Sequence, residues 1–268
     1  MSKYWHAINI GIQNTLVYRA NFLFRSIFGL IPLMATIFLW RAVFAGKPSD
    51  PEVAGYTLAG MTSYYLLVTV VDMLTAVTDD DWQVAADIRE GSINQFLLKP
   101  IDYLMYRLCL FGANRVIYTS VAAIPVVLFI IVQRRYFVFP ADAAAFGWFA
   151  LATLLTALLQ FLMSYSLALL AFWVLEVSTF IFILFAFEYI AGGHLFPLDI
   201  LPGWLSRLLN FTPFPYELFF PVSIYLGRIR GAALMQGLII QCCWVVVFYC
   251  LARWVWQRGI RKYTAFGG

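Results

Sequence analysis

Charged side chains are scarce in this chain of 268 residues: they make up 12% of it, whereas 63% of the residues are hydrophobic and the mean hydropathy is +0.82. This composition lies outside the range of soluble globular proteins and is typical of integral membrane proteins. The apolar residues form runs of helix length rather than short alternating segments, which favours an all-α helical bundle over a β-barrel. The net charge of +4 does not indicate a nucleic-acid partner, because basic residues near the ends of membrane spans have their own explanation.

The sequence also lacks the motifs of several enzyme classes. There is no G-x-x-x-x-G-K-[ST] nucleotide-binding loop, no H-E-x-x-H zinc motif and no G-x-S-x-G nucleophile elbow. We therefore expect neither an ATPase nor a hydrolase of these types. The cysteines form no C-x-x-C pair, so we expect buried thiols rather than a metal or disulfide site. They are Cys109, Cys242, Cys243 and Cys250.

Six apolar segments are candidates to cross a bilayer as helices. The sequence predicts spans at 22–44, 56–77, 115–132, 146–172, 177–193 and 232–256. The fifth is short, and Gly192 and Gly193 interrupt it, so a further segment must complete the crossing. The stretch 194–227 that follows is apolar but contains five prolines, which favours short helices that re-enter the membrane partway from outside.

The N-terminal segment 1–21 lacks the apolar core and cleavage site of a signal peptide. Trp5, Ile8, Ile12 and Leu16 would form one apolar stripe, which predicts an amphipathic helix in the headgroup plane. A frayed cytosolic tail is the alternative.

The distribution of basic residues indicates the orientation of the bundle. With the N-terminus in the cytosol, eleven of the eighteen lysines and arginines fall on the inner side, which predicts that both termini are cytosolic. The seven on the outer side are Arg41, Lys47, Arg134, Arg135, Arg207, Arg228 and Arg230. No internal repeat of the kind found in many secondary transporters is visible.

One long polar segment, 79–114, separates the second and third predicted spans and holds six of the fourteen acidic residues. The aspartates at 79–81 suit the first turn of a helix that runs to about Glu90, and Gly91 suits the end of that helix. The spacing from Ser92 to Gln95 matches a capping box for a second short helix, which Pro100 would end.

This polar segment also has an apolar side. Ile93, Phe96 and Leu97 would form a small apolar face beside charged residues of the preceding helix. An ordered, charged and partly apolar knob outside the bilayer suits docking to another protein. A solvated connector is the alternative.

Ionisable residues within or near the predicted spans are few. Asp72 is either a functional intramembrane carboxylate or a residue at the inner headgroup level, and Glu188 precedes the glycine break. We expect His194, which follows the break, to be interfacial rather than a proton site. An ion pathway needs several such groups along one route, and these are scattered along the chain.

Three stretches stand out as motifs. They are IREGSINQFLLKPI (Ile88 to Ile101), FPLDILPGWLSRLLNFTPFPYELFFPVSIYLG (Phe196 to Gly227) and RGIRKYTAFGG (Arg258 to Gly268). Together with the amphipathic N-terminal segment, they resemble the permease subunits of type-2 ATP-binding-cassette transporters, of the bacterial branch that often occurs as paired six-span proteins.

The resemblance implies that the polar segment is a cytosolic coupling helix that docks on a separate ATPase subunit, of which the complex would hold two copies. The expected docking residues are Asp87, Ile88, Arg89, Glu90, Gly91, Ser92, Ile93, Gln95, Phe96 and Leu97. It further implies that re-entrant half-helices line the outer part of a pathway between two permease subunits, which are two copies of this chain or this chain and a paralogue. The expected pathway residues are Gly192, Gly193, Pro197, Leu198, Leu201, Pro202, Pro213 and Phe214.

The resemblance also implies an exporter in the bacterial inner membrane, in contact with membrane lipids, with ATP and magnesium on the partner and no cofactor on this chain. An ion-driven secondary transporter or channel is one alternative, which would require coupling acids facing a midplane cavity. An intramembrane enzyme is another, which would require a cluster of catalytic groups.

Overall fold

A computed structural model describes residues 2–17, 19–45, 52–77, 80–140, 142–174 and 176–263. Within these ranges the chain is almost entirely helical. The helices are α1 (Ser2–Val17), α2 (Arg19–Ala45), α3 (Leu58–Thr75), α4 (Asp80–Arg89), α5 (Asn94–Leu97), α6 (Tyr103–Val132), α7 (Ala143–Ala168), α8 (Ser178–Ala191), α9 (Gly203–Leu209), α10 (Phe219–Tyr225) and α11 (Gly231–Lys262). Short 3-10 turns cover Arg134–Tyr136, Leu169–Phe172, Leu198–Ile200 and Phe214–Tyr216. Predictions that involve Lys47, Asp50, Asp79 and residues 264–268 lie outside the described residues.

Five of the described helices are long and apolar enough to cross a membrane. They are α2 from Ala20, α3, α6, α7 extended by its 3-10 turn to Phe172, and α11. The chain is therefore a multi-pass helical membrane protein. The fifth predicted span corresponds to α8, which has 14 residues. At 1.5 Å per residue it is about 21 Å long, short of the roughly 30 Å apolar core of a bilayer.

Helix α6 starts earlier than the sequence predicted. The third span was expected from residue 115, but α6 begins at Tyr103 and runs without interruption past Arg107 and Arg115. Both arginines are buried within the chain, and the Arg115 guanidinium lies 5.0 Å from the centre of the Tyr118 ring. The predicted start at residue 115 is therefore the start of the uncharged apolar run, whereas the helix itself begins twelve residues earlier.

Two hydrophobic cores hold the helices together. The first joins α2, α3, α7, α10 and α11 around fully buried side chains such as Met61, Tyr64 and Leu159. The second lies where α4, α6, α7 and α11 meet, around Ile93, Phe161 and Leu169. The first core runs along most of α3, from Met61 to Val71, and the second begins at Val77, just beyond its C-terminus.

The stretch after α8 is divided into four short helical pieces, and its prolines lie at or near their starts. Pro197, Pro202 and Pro213 each occupy the position before a helical piece, where the missing N–H costs no hydrogen bond. The prediction of several short helices instead of one straight one agrees with this part of the chain.

The non-helical backbone of this stretch obtains hydrogen bonds from neighbouring long helices. The Tyr216 carbonyl accepts from Gln241 Nε2 of α11 at 2.9 Å and from Thr156 Oγ1 of α7 at 3.1 Å. Gln241 is fully buried and also donates to the Ala152 carbonyl at 3.0 Å. Irregular backbone is tolerated at membrane depth only where protein groups satisfy it in this way.

The glycine break after α8 is fixed by side chains of α3. The Tyr64 hydroxyl donates to the Gly193 carbonyl at 2.6 Å, and the Tyr65 hydroxyl donates to the Leu195 carbonyl at 2.8 Å. Gly193 has a φ of +100°, and a Cβ there would lie 2.6 Å from the Tyr64 oxygen. A glycine is therefore required at this position for both conformational and steric reasons.

Three polar residues fasten the outer ends of the elements to one another. Arg228 pairs with Asp199 at 2.7 Å and lies 3.9 Å from the centre of the Tyr56 ring, and the Tyr56 hydroxyl donates to Asp199 at 3.1 Å. These contacts connect the segment before α3 with the broken segment and with the start of α11.

Helix α1 is only partly covered by the rest of the chain. Helix α1 packs on α6, where a Cβ at Gly11 would lie 3.1 Å from Ala113. Trp5 and Leu16 of its predicted apolar stripe are exposed.

The prediction of buried thiols is wrong, because Cys109 is half-buried and the three cysteines of α11 are exposed. An apolar run in a membrane helix can face lipid as well as a core, so it does not predict burial within the chain.

The close approach of α10 to α11 gives a first test. A Cβ at Gly237 would lie 2.1 Å from Cε2 of Phe220, so we expect Gly237→Ala to displace that ring and to destabilise the fold by about 1–3 kcal/mol. Thermal unfolding of the purified chain in detergent would measure this. Gly147→Ala is the matched control, because a Cβ there has nothing within 4 Å. An unchanged midpoint for Gly237→Ala would contradict the packing.

An ion pair at the start of α6 gives a second test. Asp102 caps α6 by accepting from the Met105 amide at 3.0 Å and pairs with Arg253 of α11. Burial, the largest single influence, disfavours the charged carboxylate, but the hydrogen bonds from Arg253 and Met105 outweigh it and lower the pKa of Asp102. The pair therefore stabilises the fold above the unfolded-state pKa of about 4, and this contribution is lost as the pH falls through the folded-state pKa.

We accordingly expect Asp102→Asn to lower stability at pH 7 by no more than about 1 kcal/mol, because both side chains are partly exposed and solvent screens the pair. Asparagine retains the cap, so the difference isolates the charge. Thermal midpoints measured from pH 7 to pH 3 should converge for the two chains at the acid end. A difference that persists unchanged at pH 3 would contradict the assignment.

Candidate functional site: a docking segment and a polar cavity

The polar segment forms an ordered unit at one end of the bundle. Helix α4 packs on α7 and on the 3-10 turn Leu169–Phe172 that extends it. Val84 and Ile88 are buried in this contact, four residues apart on one face, as an amphipathic helix requires. The segment is therefore held on the bundle by an apolar interface and is not a solvated connector.

Asp87 faces inward from α4. Its carboxylate accepts from the Tyr103 hydroxyl at 2.6 Å and from Gln83 Nε2 at 3.0 Å, and the residue is buried. A buried carboxylate with two good donors is satisfied within the chain, so it positions α4 and is not presented to a partner. Arg89 and Glu90, which follow it, are exposed.

The turn between α4 and α5 follows one prediction and departs from another. Gly91 adopts the left-handed conformation expected at the end of α4, with a φ of +80°. The predicted capping box is wrong: Ile93 occupies the cap position of α5 with helical backbone angles, and no side chain caps this helix. Ile93 is 0% exposed, so burial of its apolar side chain in the core stabilises this arrangement although the short helix has no side-chain cap.

A cluster of aromatic rings connects this segment to three long helices. Phe96 contacts Tyr103 of α6, with ring centres 5.0 Å apart, and Tyr103 stacks on Trp256 of α11 at 5.1 Å. Trp256 in turn contacts Phe172, which follows α7, at 6.0 Å. A displacement of α4 and α5 would therefore change the packing of α6, α7 and α11 together.

The exposed surface of the segment is smaller than the set of residues predicted from the sequence. Ile88, Ile93 and Asp87 are buried within the chain, and Phe96 is half-covered by the rings of α6. Leu98 is 88% exposed, and the docking residues predicted from the sequence did not include it. Its position between Leu97 and Lys99, in the same polar segment, could have indicated it. The outward residues are Arg89, Glu90, Gln95, Leu97, Leu98 and Lys99.

The residues predicted for an outer pathway do not share one open surface. Gly192, Gly193, Pro197, Leu198 and Pro213 are buried, whereas Leu201 and Phe214 are half-buried and Pro202 is exposed. Phe214 stacks on Phe187 of α8, with ring centres 6.3 Å apart. Most of these residues shape the break after α8 from within the chain.

A second feature is a polar cavity of about 290 Å³ between α3, α7, α8 and the broken segment. His194 Nε2 lies 3.0 Å from Asp72 Oδ1, and Gln160 Nε2 donates to Glu188 Oε1 at 3.1 Å. Glu217, which precedes α10, also lines the cavity. The chain thus brings together ionisable residues that are scattered along the sequence, and His194 is paired with one of them.

Sequence reasoning missed two members of this cavity. Glu217 lies within a proline-rich run and Gln160 within a long apolar run, and their separations from Asp72 gave no signal of proximity. The available signal was that Gln160 is a polar residue within an apolar helix, which in membrane proteins often indicates a functional position.

The comparisons with known proteins agree with the architecture. A family model described as an ABC-2 family transporter protein matches residues 30–267, which is most of the chain. No curated protein sequence matches closely enough to count as a relative. The matched range covers all five long helices except the start of α2, together with the docking segment and the polar cavity. The chain belongs to the ABC-2 family of transporter membrane proteins.

Proposed function

We propose that this chain is the permease subunit of an ATP-driven exporter and that α4 and α5 form the coupling segment on which a separate ATPase subunit docks. The observation that carries the proposal is an ordered, exposed edge with apolar Leu97 and Leu98 flanked by charged side chains. Interfaces of this kind combine a small apolar centre with a charged rim.

The buried residues of the segment support a mechanical role. Val84, Ile88 and Ile93 fasten it to the bundle, and the hydrogen bond between Asp87 and Tyr103 fixes its direction. A load applied at Leu98 would be transmitted through Phe96 to the rings of α6 and α11. In this scheme Leu97 and Leu98 enter the groove of the partner, and Ile93 acts as the rigid base beneath them.

The proposed cycle follows from this geometry. Closure of two ATPase subunits on ATP would push both coupling segments and tilt α6, α7 and α11 relative to α8. Helix α8 packs mainly on α7 and on the turn Phe214–Tyr216, so it is less attached to the bundle than α6, α7 and α11 are. ATP and magnesium would be bound by the partner, and this chain would need no cofactor of its own.

The remaining features of the proposal concern topology and assembly. Helix α8, completed by the re-entrant pieces that follow it, would make the fifth of six crossings and the outer wall of the pathway. Exposed rings on α8, such as Phe182 and Phe187, would face a second permease subunit or lipid. Both termini and the coupling segment would be cytosolic in a bacterial plasma membrane, with α1 at its surface.

The docking edge can be tested with one leucine. We expect Leu98→Asp to abolish co-purification of a P-loop ATPase with the tagged chain and to lose at least about tenfold in stimulated transport, because an apolar contact at an interface centre becomes a charge. Membrane insertion should be unchanged, since the side chain is exposed. Co-purification in mild detergent and transport into inverted vesicles would measure both effects.

The matched control is Leu208→Asp, which also places a charge at an exposed leucine but on α9, away from the docking segment. It should retain the ATPase. Equal retention of the ATPase by Leu98→Asp would remove the docking role. This test is sharper than one at Phe96, because Phe96 packs on Tyr103 and Tyr106 and its loss would also disturb the fold.

A further inference from the structure

The polar cavity contains more hydrogen-bond acceptors than the chain supplies donors for. Glu217 is 0% exposed, and its carboxylate oxygens accept no hydrogen bond from an amide, hydroxyl or amine group among the described residues; the group within hydrogen-bonding reach is the carboxyl of Glu188. The carboxyl of Glu188, which lines the same cavity, could donate to Glu217 only if it carried a proton. Gln160 is 5% exposed, and its Oε1 is likewise without a described donor.

Such a set of buried acceptors is costly unless something neutralises it. An unpaired carboxylate in an apolar environment loses several kcal/mol of solvation, so buried acids in membrane proteins are paired, protonated or functional. The only cation-forming side chain among the residues that line the cavity is His194, and its Nε2 is engaged by Asp72. Lysine and arginine do not line the cavity. Within the chain a proton shared by Glu188 and Glu217, or the buried Nδ1 of His194, could supply a further hydrogen bond, but neither gives this group of acids a full positive counter-charge; a cationic donor from outside the chain would supply both.

The rest of the wall limits what this donor can be. Met163, Ile181, Leu184 and Phe185 line the same space, so one side of the cavity is apolar and the other is acidic. Phe185 and Tyr189 of α8 also line the cavity, and both side chains are exposed. Pockets for small ligands are commonly roughly 300–1,000 Å³, so a cavity of about 290 Å³ suits a small group.

We infer that this cavity is a binding site for a primary ammonium group attached to an apolar body. Three N–H donors and one positive charge would match the free oxygens of Glu217 and Gln160, and the apolar body would lie against Leu184 and Phe185. The inference rests on the proposed transport function only in making the ligand a candidate cargo. A free amine and the headgroup of an ethanolamine lipid share this chemistry.

Four elements build the site, and this gives it a link to transport. Asp72 comes from α3, Gln160 from α7, Glu188 from α8, and Glu217 from the broken segment. A relative tilt of α7 and α8 would separate Gln160 from Glu188 and weaken the grip on the ligand. An ammonium group would thus be held in one arrangement of the helices and released in the other.

The test measures binding to the purified full chain in phosphatidylcholine nanodiscs by titration calorimetry, with hexylammonium as the probe. Hexanol and hexanoate have the same chain length and serve as neutral and anionic comparisons. We expect saturable binding of hexylammonium at one site and at least about tenfold weaker binding of the other two, because charge-assisted hydrogen bonds are lost. Absence of saturable hexylammonium binding, or equal binding of hexanol, would overturn the inference.

Two variants locate the site. Glu217→Gln and Glu188→Gln keep size and one acceptor but remove a charge, and each should weaken hexylammonium binding about tenfold or more. Glu52→Gln, at an exposed acid outside the cavity, should bind as the parent chain does. Parent-like binding by both cavity variants, with thermal midpoints confirming that they are folded, would overturn the assignment.

A third arm separates the two sources of the ammonium group. If an ethanolamine headgroup occupies the site, nanodiscs that contain phosphatidylethanolamine should weaken hexylammonium binding by competition, whereas a site for free amines should be unaffected. Both results support ammonium recognition and assign its source. Because no ATPase is present, loss of the proposed coupling function would leave these binding results unchanged, and the two ideas fail independently.

Discussion

The contact on which most of the proposed mechanism depends is that between Tyr103 and its neighbours. Its hydroxyl donates to Asp87 of α4 at 2.6 Å, and its ring stacks on Trp256 of α11 and lies against Phe96 of α5. One residue at the start of α6 therefore fixes the polar segment to two long helices at once. Without this contact the polar segment would still pack on α7 through Val84 and Ile88, but it would lose its direct connection to α6 and α11.

A second constraint is the need to satisfy polar backbone where the helix is broken. Gln241 and Thr156 supply donors to the Tyr216 carbonyl, and the tyrosines of α3 supply donors to Gly193 and Leu195. These bonds allow an irregular segment to pack against α7 and α11, and this segment carries Glu217 into the cavity. The same break that shortens α8 thus creates the acidic site.

The sequence predicted the long helices, the knob and the broken segment because each has a local signal: an apolar run, a polar interval with Gly91, or closely spaced prolines. It could not predict which side of a helix faces the chain, since lipid and protein cores are equally apolar; the exposed cysteines of α11 show this. Nor could it bring Asp72, Gln160 and Glu217 together, because that depends on packing between elements far apart in sequence. Ile93 shows the same limit, since the sequence pattern predicted a residue that contacts the partner, whereas its side chain is buried in the core of the chain.

The central claim is that the edge formed by α4 and α5 faces the cytosol, where an ATPase can grip it. Labelling of Gln95→Cys with a membrane-impermeant maleimide, in a chain whose four native cysteines are replaced, tests this most directly. The account predicts no labelling in intact cells and strong labelling after the membrane is opened. Equal labelling in intact cells would place the edge outside the cell, and a cytosolic motor could not reach it.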